Sequence, residues 1–286
     1  MTRVKIPLLT VNAARLRQWL PPRAPESHKG DYGRVLLLCG AEGYTGAPVL
    51  AARAALRSGA GLVFVGVPRC VYPIVAAKLT EAMVFPLPDR DGRLGAGAVS
   101  EILPRLEKMD ACLIGCGLGQ SEDVRAVVEA VLTHAKCPVV VDADGINVLS
   151  GHIDIVRGAS CPVVLTPHDG ELARLGGDLG QARLAETRRM QRLLGATLLR
   201  KGHRTLICGE KECYVNRCGN PGMATGGSGD ALAGILVSFL GQGLTPVRAA
   251  AAAAWLHGTA GDLCARRLSE SGMLPTDLIE TLPRLL

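Results

Sequence analysis

Residues 111–145 read ACLIGCGLGQSEDVRAVVEAVLTHAKCPVVVDADG. Two short apolar runs, Ala111–Ile114 and Val139–Val141, bracket a longer helical one. In the helical run Ser121 stands as N-cap, Glu122 and Asp123 occupy the first turn, and Val124, Val127, Val128, Val131 and Leu132 share one face. Strand, glycine turn, helix, strand is the unit of a mostly parallel sheet covered by helices, and strands apolar throughout belong to a sheet covered on both sides. Further strands are expected at Val35–Cys39, Leu62–Val67, Val163–Leu165, Thr197–Leu199, Thr205–Cys208 and Cys213–Val215. The last two, joined across Gly209-Glu210-Lys211, read as a hairpin near one sheet edge. The fold class expected is α/β, a central, mostly parallel sheet flanked by helices on both faces.

The 286 residues suit two domains or one large α/β domain. No Ser/Gly-rich linker and no repeat divides them, so residues 27–286 are read as one domain behind an arm of residues 1–26. With 48% hydrophobic and 20% charged residues and no run of 18 apolar ones, the composition argues against disorder and against a membrane span. The start lacks a secretory signal, and a cytoplasmic location is expected. Ten cysteines include no C-x-x-C; the nearest clusters are Cys112-x3-Cys116 and Cys208-x4-Cys213-x4-Cys218. Most sit in or beside apolar runs as small hydrophobes, and neither a disulfide framework nor structural zinc is indicated. Net charge is +6, but aromatic residues make up only 3% and do not interleave with basic ones, so no nucleic-acid partner is expected. Arg183, Arg188, Arg189 and Arg192 read as the solvated face of a helix within Leu179–Leu194.

Ligands of open α/β sheets bind beyond the carboxyl ends of the strands. Those ends here are glycine-rich and polar: Gly40-Ala-Glu-Gly-Tyr-Thr-Gly-Ala47, Gly115-Cys-Gly-Leu-Gly119, Asp142-Ala-Asp-Gly-Ile-Asn147 and Thr166-Pro-His-Asp-Gly-Glu171. Any one of them could simply turn the chain or cap a helix. The strongest local signal is Ala224-Thr-Gly-Gly-Ser-Gly-Asp230, which runs directly into the helical stretch Ala231–Leu240. Converging backbone N–H groups and a helix N-terminus make an anion cradle. A carboxylate beside bound phosphate is repulsive, which makes sense if Asp230 takes a proton from a hydroxyl as that oxygen attacks phosphorus. Alternatively Asp230 is a first-turn acid complementing the helix dipole. Walker A and dinucleotide-binding glycine motifs are both absent.

Taken in order, Ser27-His-Lys-Gly-Asp-Tyr-Gly33, Tyr44-Thr-Gly-Ala47, Gly115-Cys-Gly-Leu-Gly119, Val141-Asp-Ala-Asp-Gly145, Thr166-Pro-His168, Lys201-Gly202 and Asn220-Pro-Gly-Met-Ala-Thr-Gly-Gly-Ser-Gly-Asp230 resemble the ADP/ATP-dependent NAD(P)H-hydrate dehydratase family. The resemblance runs from about Ser27 to Gly243. It implies a ribokinase-like fold and a repair reaction on the S epimer of NADH or NADPH to whose ring water has added (NADHX, NADPHX). The ring hydroxyl is phosphorylated by ADP or ATP, and phosphate is then eliminated. By position, Asp230 matches the base that contacts the reacting hydroxyl, and Gly229 a glycine at the nucleotide phosphates, with Gly227 and Ser228 adding N–H donors. Lys201, Gly202, His203, Arg204 and Thr205 match the nucleotide-binding stretch, whereas Ala47, Gly117 and His168 match the hydrated-nicotinamide pocket. By themselves Lys201 would read as a surface turn residue and His168 as a helix cap. Glu171 keeps an acid that in superfamily kinases helps hold Mg2+ through water or phosphate. Cys116 departs from the pattern, standing where proline is expected between two glycines.

The resemblance further implies a homo-oligomer, plausibly a tetramer. With only about 26 residues ahead of the match, a separate NAD(P)HX epimerase is expected to supply the usable epimer, and ADP is preferred over ATP. A ribokinase-like kinase acting on a vitamin-precursor alcohol shares the Gly-Gly-x-Gly-Asp ending and is the competing reading. A non-catalytic nucleotide-binding regulator is a third, disfavoured by Asp230.

Overall fold

The computed structural model describes residues 7–20 and 22–286, so residues 1–6 and 21 of the expected arm lie outside it. The strands are β1 (Leu8–Leu9), β2 (Arg34–Leu38), β3 (Leu62–Pro68), β4 (Met83–Leu87), β5 (Asp89–Arg90), β6 (Arg93–Leu94), β7 (Ala111–Ile114), β8 (Val139–Val141), β9 (Val163–Leu165), β10 (Thr197–Arg200), β11 (Leu206–Cys208) and β12 (Cys213–Val215). Ten of them form one sheet in the order β1-β12-β11-β10-β9-β8-β7-β2-β3-β4, while β5 and β6 pair separately. Neighbours in the large sheet are parallel except where β11 meets β10 and β12.

All eight strands expected from the apolar runs are present, with ends within one residue of those read. Among those not anticipated, β4 contains Pro86, which a sheet tolerates because β4 is an edge strand with one side unpaired. The other edge is β1, which lies in the segment read as an arm and pairs Leu8 and Leu9 with Cys213 and Tyr214. Behind it, Trp19 meets Tyr214 edge-to-face at 6.0 Å.

Alternation along the strands feeds two cores. Val35, Leu37, Leu113, Val140, Val164 and Leu199 face one, and Leu36, Leu38, Cys112, Ile114, Val139 and Val141 the other. Helices Gly46–Arg57, Ser228–Gly241, Pro246–Leu268 and Pro275–Thr281 cover the first; Val99–Leu106, Glu122–His134 and Arg183–Leu194 cover the second. In Glu122–His134 the Ser121 Oγ accepts from the Val124 N–H at 3.1 Å, and all five expected face residues are buried. No helix among the described residues is long and apolar enough to cross a membrane.

One crossing is closer than side chains permit. A Cβ on Gly234 would collide with the Ala51 carbonyl oxygen and stand 2.9 Å from Ala54 Cβ. Because backbone is the obstacle, Gly234→Ala is expected to destabilise the protein by roughly 1–3 kcal/mol. Thermal unfolding should show a lower Tm; an unchanged Tm would mean that the two helices separate freely.

Candidate active site

The carboxyl ends of four adjacent strands meet at one buried carboxylate. Asp142, the residue after β8, is 1% exposed. Its Oδ1 accepts from Thr166 Oγ1 after β9 at 2.6 Å and from Lys201 Nζ after β10 at 2.7 Å. From beyond β7 the Cys116 thiol donates to Oδ2 at 3.6 Å. Lys201 Nζ also lies 3.6 Å from Glu171 Oε2. Burial opposes the charge on Lys201, but the Asp142 and Glu171 carboxylates outweigh it and hold the ammonium well above the usual lysine range. The result is an ammonium locked between two carboxylates at the mouth of the sheet.

The glycine cradle stands over this ammonium. Gly227 caps the helix Ser228–Gly241 in a left-handed conformation, φ +92°, in which glycine is favoured. The N–H groups of Gly229 and Asp230 find no acceptor among the described residues and remain available to an anion. A Cβ on Gly229 would stand 3.7 Å from Lys201 Nζ and 3.9 Å from Asp142 Oδ2, so glycine keeps the space between cradle and ammonium clear. Asp230 lies in the first turn. A carboxylate oxygen of Asp230, one of Asp142 and the Cys116 sulfur lie within 4.8 Å of one another. Burial, reinforced by the Asp142 charge, pushes the Asp230 carboxyl up to about 6. Such an acid is ionised at neutral pH yet basic enough to accept a proton.

Beside the cradle opens a cleft of about 1150 Å³. Lys201, Gly202, His203, Arg204 and Thr205 form one wall, and Ser228 and Gly229 its floor. The loop is held from behind. Arg183 Nη1 donates to the His203 carbonyl at 2.7 Å, and Nη2 donates to the Lys201 carbonyl at 2.7 Å. Arg183 therefore does not belong to a solvated face: the helix begins at Arg183 rather than Leu179, which turns this side chain inward. His257, also in the cleft, sits 3.3 Å from Ser228 Oγ, and burial pushes its imidazole down to about 4, so it is neutral at physiological pH.

Ala47 and Gly117 lie together but outside this cleft. A Cβ on Gly117, whose φ is +64°, would stand 3.0 Å from Ala47 Cβ. The Gly40 N–H donates to the Cys116 carbonyl at 2.9 Å, tying their two turns together. Cys116 brings the Gly115–Gly119 turn close to Asp230, whose neighbours Ser228 and Gly229 line the cleft. His168 lines the cleft and also caps the helix Asp169–Arg174: its Nδ1 accepts from the Glu171 N–H at 3.2 Å, and Glu171 Oε2 accepts from the His168 N–H at 2.8 Å.

Glu171 is 3% exposed and has both carboxylate oxygens engaged, Oε2 as above and Oε1 3.4 Å from His168 Nε2. It has no free edge for direct magnesium coordination. The Cys116–Asp142–Asp230 cluster contributes a sulfur that Mg2+ disfavours and a carboxylate already paired with Lys201. These residues fit magnesium carried by a ligand's phosphates and water, with a carboxylate behind the water, rather than a protein cage.

Asp142 lies in a strand end that the sequence marks out but assigns no role, and neither His257 nor Arg183 is expected from the sequence as a site residue. For Asp142 the signal was its place directly after a buried strand. His257 could have been noticed as the one imidazole following the apolar run Ala249–Leu256.

The chain matches the NAD(P)H-hydrate dehydratase family over residues 35–284. It is 45% identical over 282 residues to the bifunctional NAD(P)H-hydrate repair enzyme Nnr of Moorella thermoacetica, covering 96% of this chain and 53% of that protein. It is 39% identical over 261 residues to the ADP-dependent (S)-NAD(P)H-hydrate dehydratase of Neisseria meningitidis serogroup B, covering 88% of this chain and 83% of that one. A crystal structure of the ADP/ATP-dependent NAD(P)H-hydrate dehydratase from Bacillus subtilis, co-crystallised with ATP/Mg2+, superimposes with a TM-score of 0.82 at 32% identity, covering 99% of this chain and 98% of that one. The fold is that of the ribokinase-like superfamily. The chain spans about half the length of the bifunctional relatives it matches.

Proposed function

Since this chain belongs to the NAD(P)H-hydrate dehydratase family, we propose that it restores NADH and NADPH from their (S)-hydrates by phosphorylating the ring hydroxyl with ADP or ATP and then eliminating phosphate. One observation carries the reading: the half-buried Asp230 carboxylate sits in the first turn of an anion-binding helix N-terminus, next to Gly229 of the cleft and close to the Cys116 turn that leads to Gly117 and Ala47.

In this reading the nucleotide occupies the cleft against residues 201–205, with its phosphates on the Gly227-Ser228-Gly229 turn. The hydrated ring lies towards Ala47 and Gly117, whereas His168, expected with them, stands on the cleft side with residues 201–205. Asp230 accepts the hydroxyl proton while that oxygen attacks the terminal phosphorus, and a group titrating at about 6 suits a base working near neutrality. The Gly229 and Asp230 N–H groups and the Lys201 ammonium receive charge spreading over the phosphoryl oxygens. Magnesium bound to the nucleotide would neutralise further phosphate charge, and Glu171, whose oxygens are engaged by His168 and Lys201, would act on it through water. Phosphate then departs as the ring nitrogen donates its electrons, and loss of a proton from the adjacent ring carbon to solvent restores the ring double bond.

The test uses the purified chain with hydrated NADH, magnesium and either ADP or ATP. Recovery of NADH absorbance with matching phosphate release is expected, and comparing the two nucleotides assigns the donor. No recovery with either overturns the reading; accumulation of a stable phosphorylated product assigns a kinase instead. Ten free thiols accord with a cytoplasmic setting. A homotetramer, checked by light scattering, and a separate epimerase complete the proposal.

Arg183 provides a further check. Without the guanidinium behind it, the loop 201–204 loses charge-assisted hydrogen bonds, each worth about 1.5–3 kcal/mol. Arg183→Ala should raise the nucleotide KM by about tenfold or more, with kcat and the KM for hydrated NADH changed much less. Equal losses in all three parameters would mark Arg183 as a general fold element.

A further inference from the structure

The β11–β12 hairpin carries a pair of cysteines that the proposed chemistry does not use. Cys208 and Cys213 are directly opposite one another in its register. On either side, the Gly209 N–H donates to the Glu212 carbonyl and the Asn216 N–H to the Thr205 carbonyl, both at 2.9 Å. Cys208 and Cys213 therefore form a non-hydrogen-bonded antiparallel pair, the arrangement that brings Cα atoms to about 4.5 Å, within the range a disulfide spans. Their sulfurs lie 2.9 Å apart, with both residues buried.

We propose that Cys208 and Cys213 form a reversible redox site, oxidised by a small-molecule disulfide to a cross-strand disulfide that staples the hairpin. Cys213 thiolate attacks one sulfur of the oxidant, expelling one small thiolate. Cys208, after losing its proton, attacks the Cys213 sulfur of the mixed disulfide and expels the second. Two protein thiols are thereby oxidised by two electrons, and one small disulfide is reduced to two thiols.

The surroundings favour Cys213 as the attacking group. The hydrogen bond with Cys208 lowers its thiol below the ordinary value; burial opposes this, and Arg188 and Arg192 assist it. Cys70 offers the contrast: it is exposed, yet its thiol is pushed up to about 11 by partial burial and by Asp89. Access to the pair requires local opening, since both side chains are buried and the helix Arg183–Leu194, which brings Arg188 and Arg192 near them, packs on β11. The other end of the hairpin, Thr205 and Asn216, lines the cleft, so the staple tightens an element that forms part of that wall.

The test equilibrates the full chain with oxidised glutathione, quenches with acid, alkylates under denaturing conditions and digests with trypsin. Cleavage after Arg204, Lys211 and Arg217 places the two cysteines in separate peptides, 205–211 and 212–217. The expected product is those two peptides joined and lighter by two hydrogens, forming in most chains and lost on treatment with dithiothreitol, while Cys70 is recovered alkylated or as a glutathione adduct. Cys208→Ser should abolish the joined species and leave Cys213 as a glutathione adduct. Recovery of both wild-type peptides only as separate alkylated species or glutathione adducts overturns the proposal. This outcome is independent of any dehydratase assay.

Discussion

Asp230→Asn is expected to lower turnover by about 10²- to 10⁴-fold while making the protein more stable above pH 6. Asparagine keeps the shape of the side chain and leaves the cradle N–H groups in place, so nucleotide affinity should change little. The stability gain follows from linkage. Asp230 is raised in the fold from 3.8 to about 6 by burial first and by the Asp142 charge second. An acid raised in this way contributes no penalty while protonated, below its unfolded value, and stability is lost as pH rises through the folded value. The wild type therefore carries a buried-charge cost on the order of 2 kcal/mol at pH 8, which the asparagine variant lacks, and the Tm difference should fade between about pH 6 and pH 4. In the wild type, kcat/KM should fall as pH drops below about 6, because the base is then protonated. A variant retaining more than a tenth of the wild-type rate would remove Asp230 as the base. An inactive variant of lower stability at pH 8 would mean that the loss comes from the fold.

Lys201→Met has the second large effect, and it separates two roles of one ammonium. Removing Lys201 leaves Asp142 charged and buried without its partner, a change that typically costs 3–5 kcal/mol. Activity should fall with it, by roughly 10²-fold or more if the ammonium also meets transition-state charge on the phosphoryl group. The double variant Lys201→Met/Asp142→Asn distinguishes the contributions, since asparagine can still accept from Thr166 without bringing an unpaired charge. Its stability should return most of the way to wild type while its rate stays low. Recovery of the rate to within about tenfold of wild type would restrict Lys201 to a structural role.

The legible part of this fold was the interior of the sheet. Runs such as Val139–Val141 are apolar at every position because helices cover both faces, and such a run, bounded by turn residues, has few other readings. At the edges the signal thins: β4 is broken by Pro86, and β1 has two residues that pair with a strand more than 200 positions away. The site divides in the same manner. The cradle Ala224–Asp230 is contiguous and could be read locally. The Asp142–Lys201 bond joins residues 59 apart, and nothing in the local composition of either segment specifies it. Arg183 was misjudged because its inward turn depends on where the helix starts relative to the loop at 201–204, a matter of tertiary placement rather than helical periodicity.

The meeting of Gly234 with Ala51 bears on how this protein can move. One helix carries Asp230 at its head and the other carries Ala47, and they touch main chain to main chain. No rotamer lies between them to act as a cushion, so the two platforms behave as a gauge block of set thickness. Any adjustment to a bulkier or slimmer guest must come from the rim loops, and drift in sequence can retune those loops while leaving the spacing of the two platforms untouched.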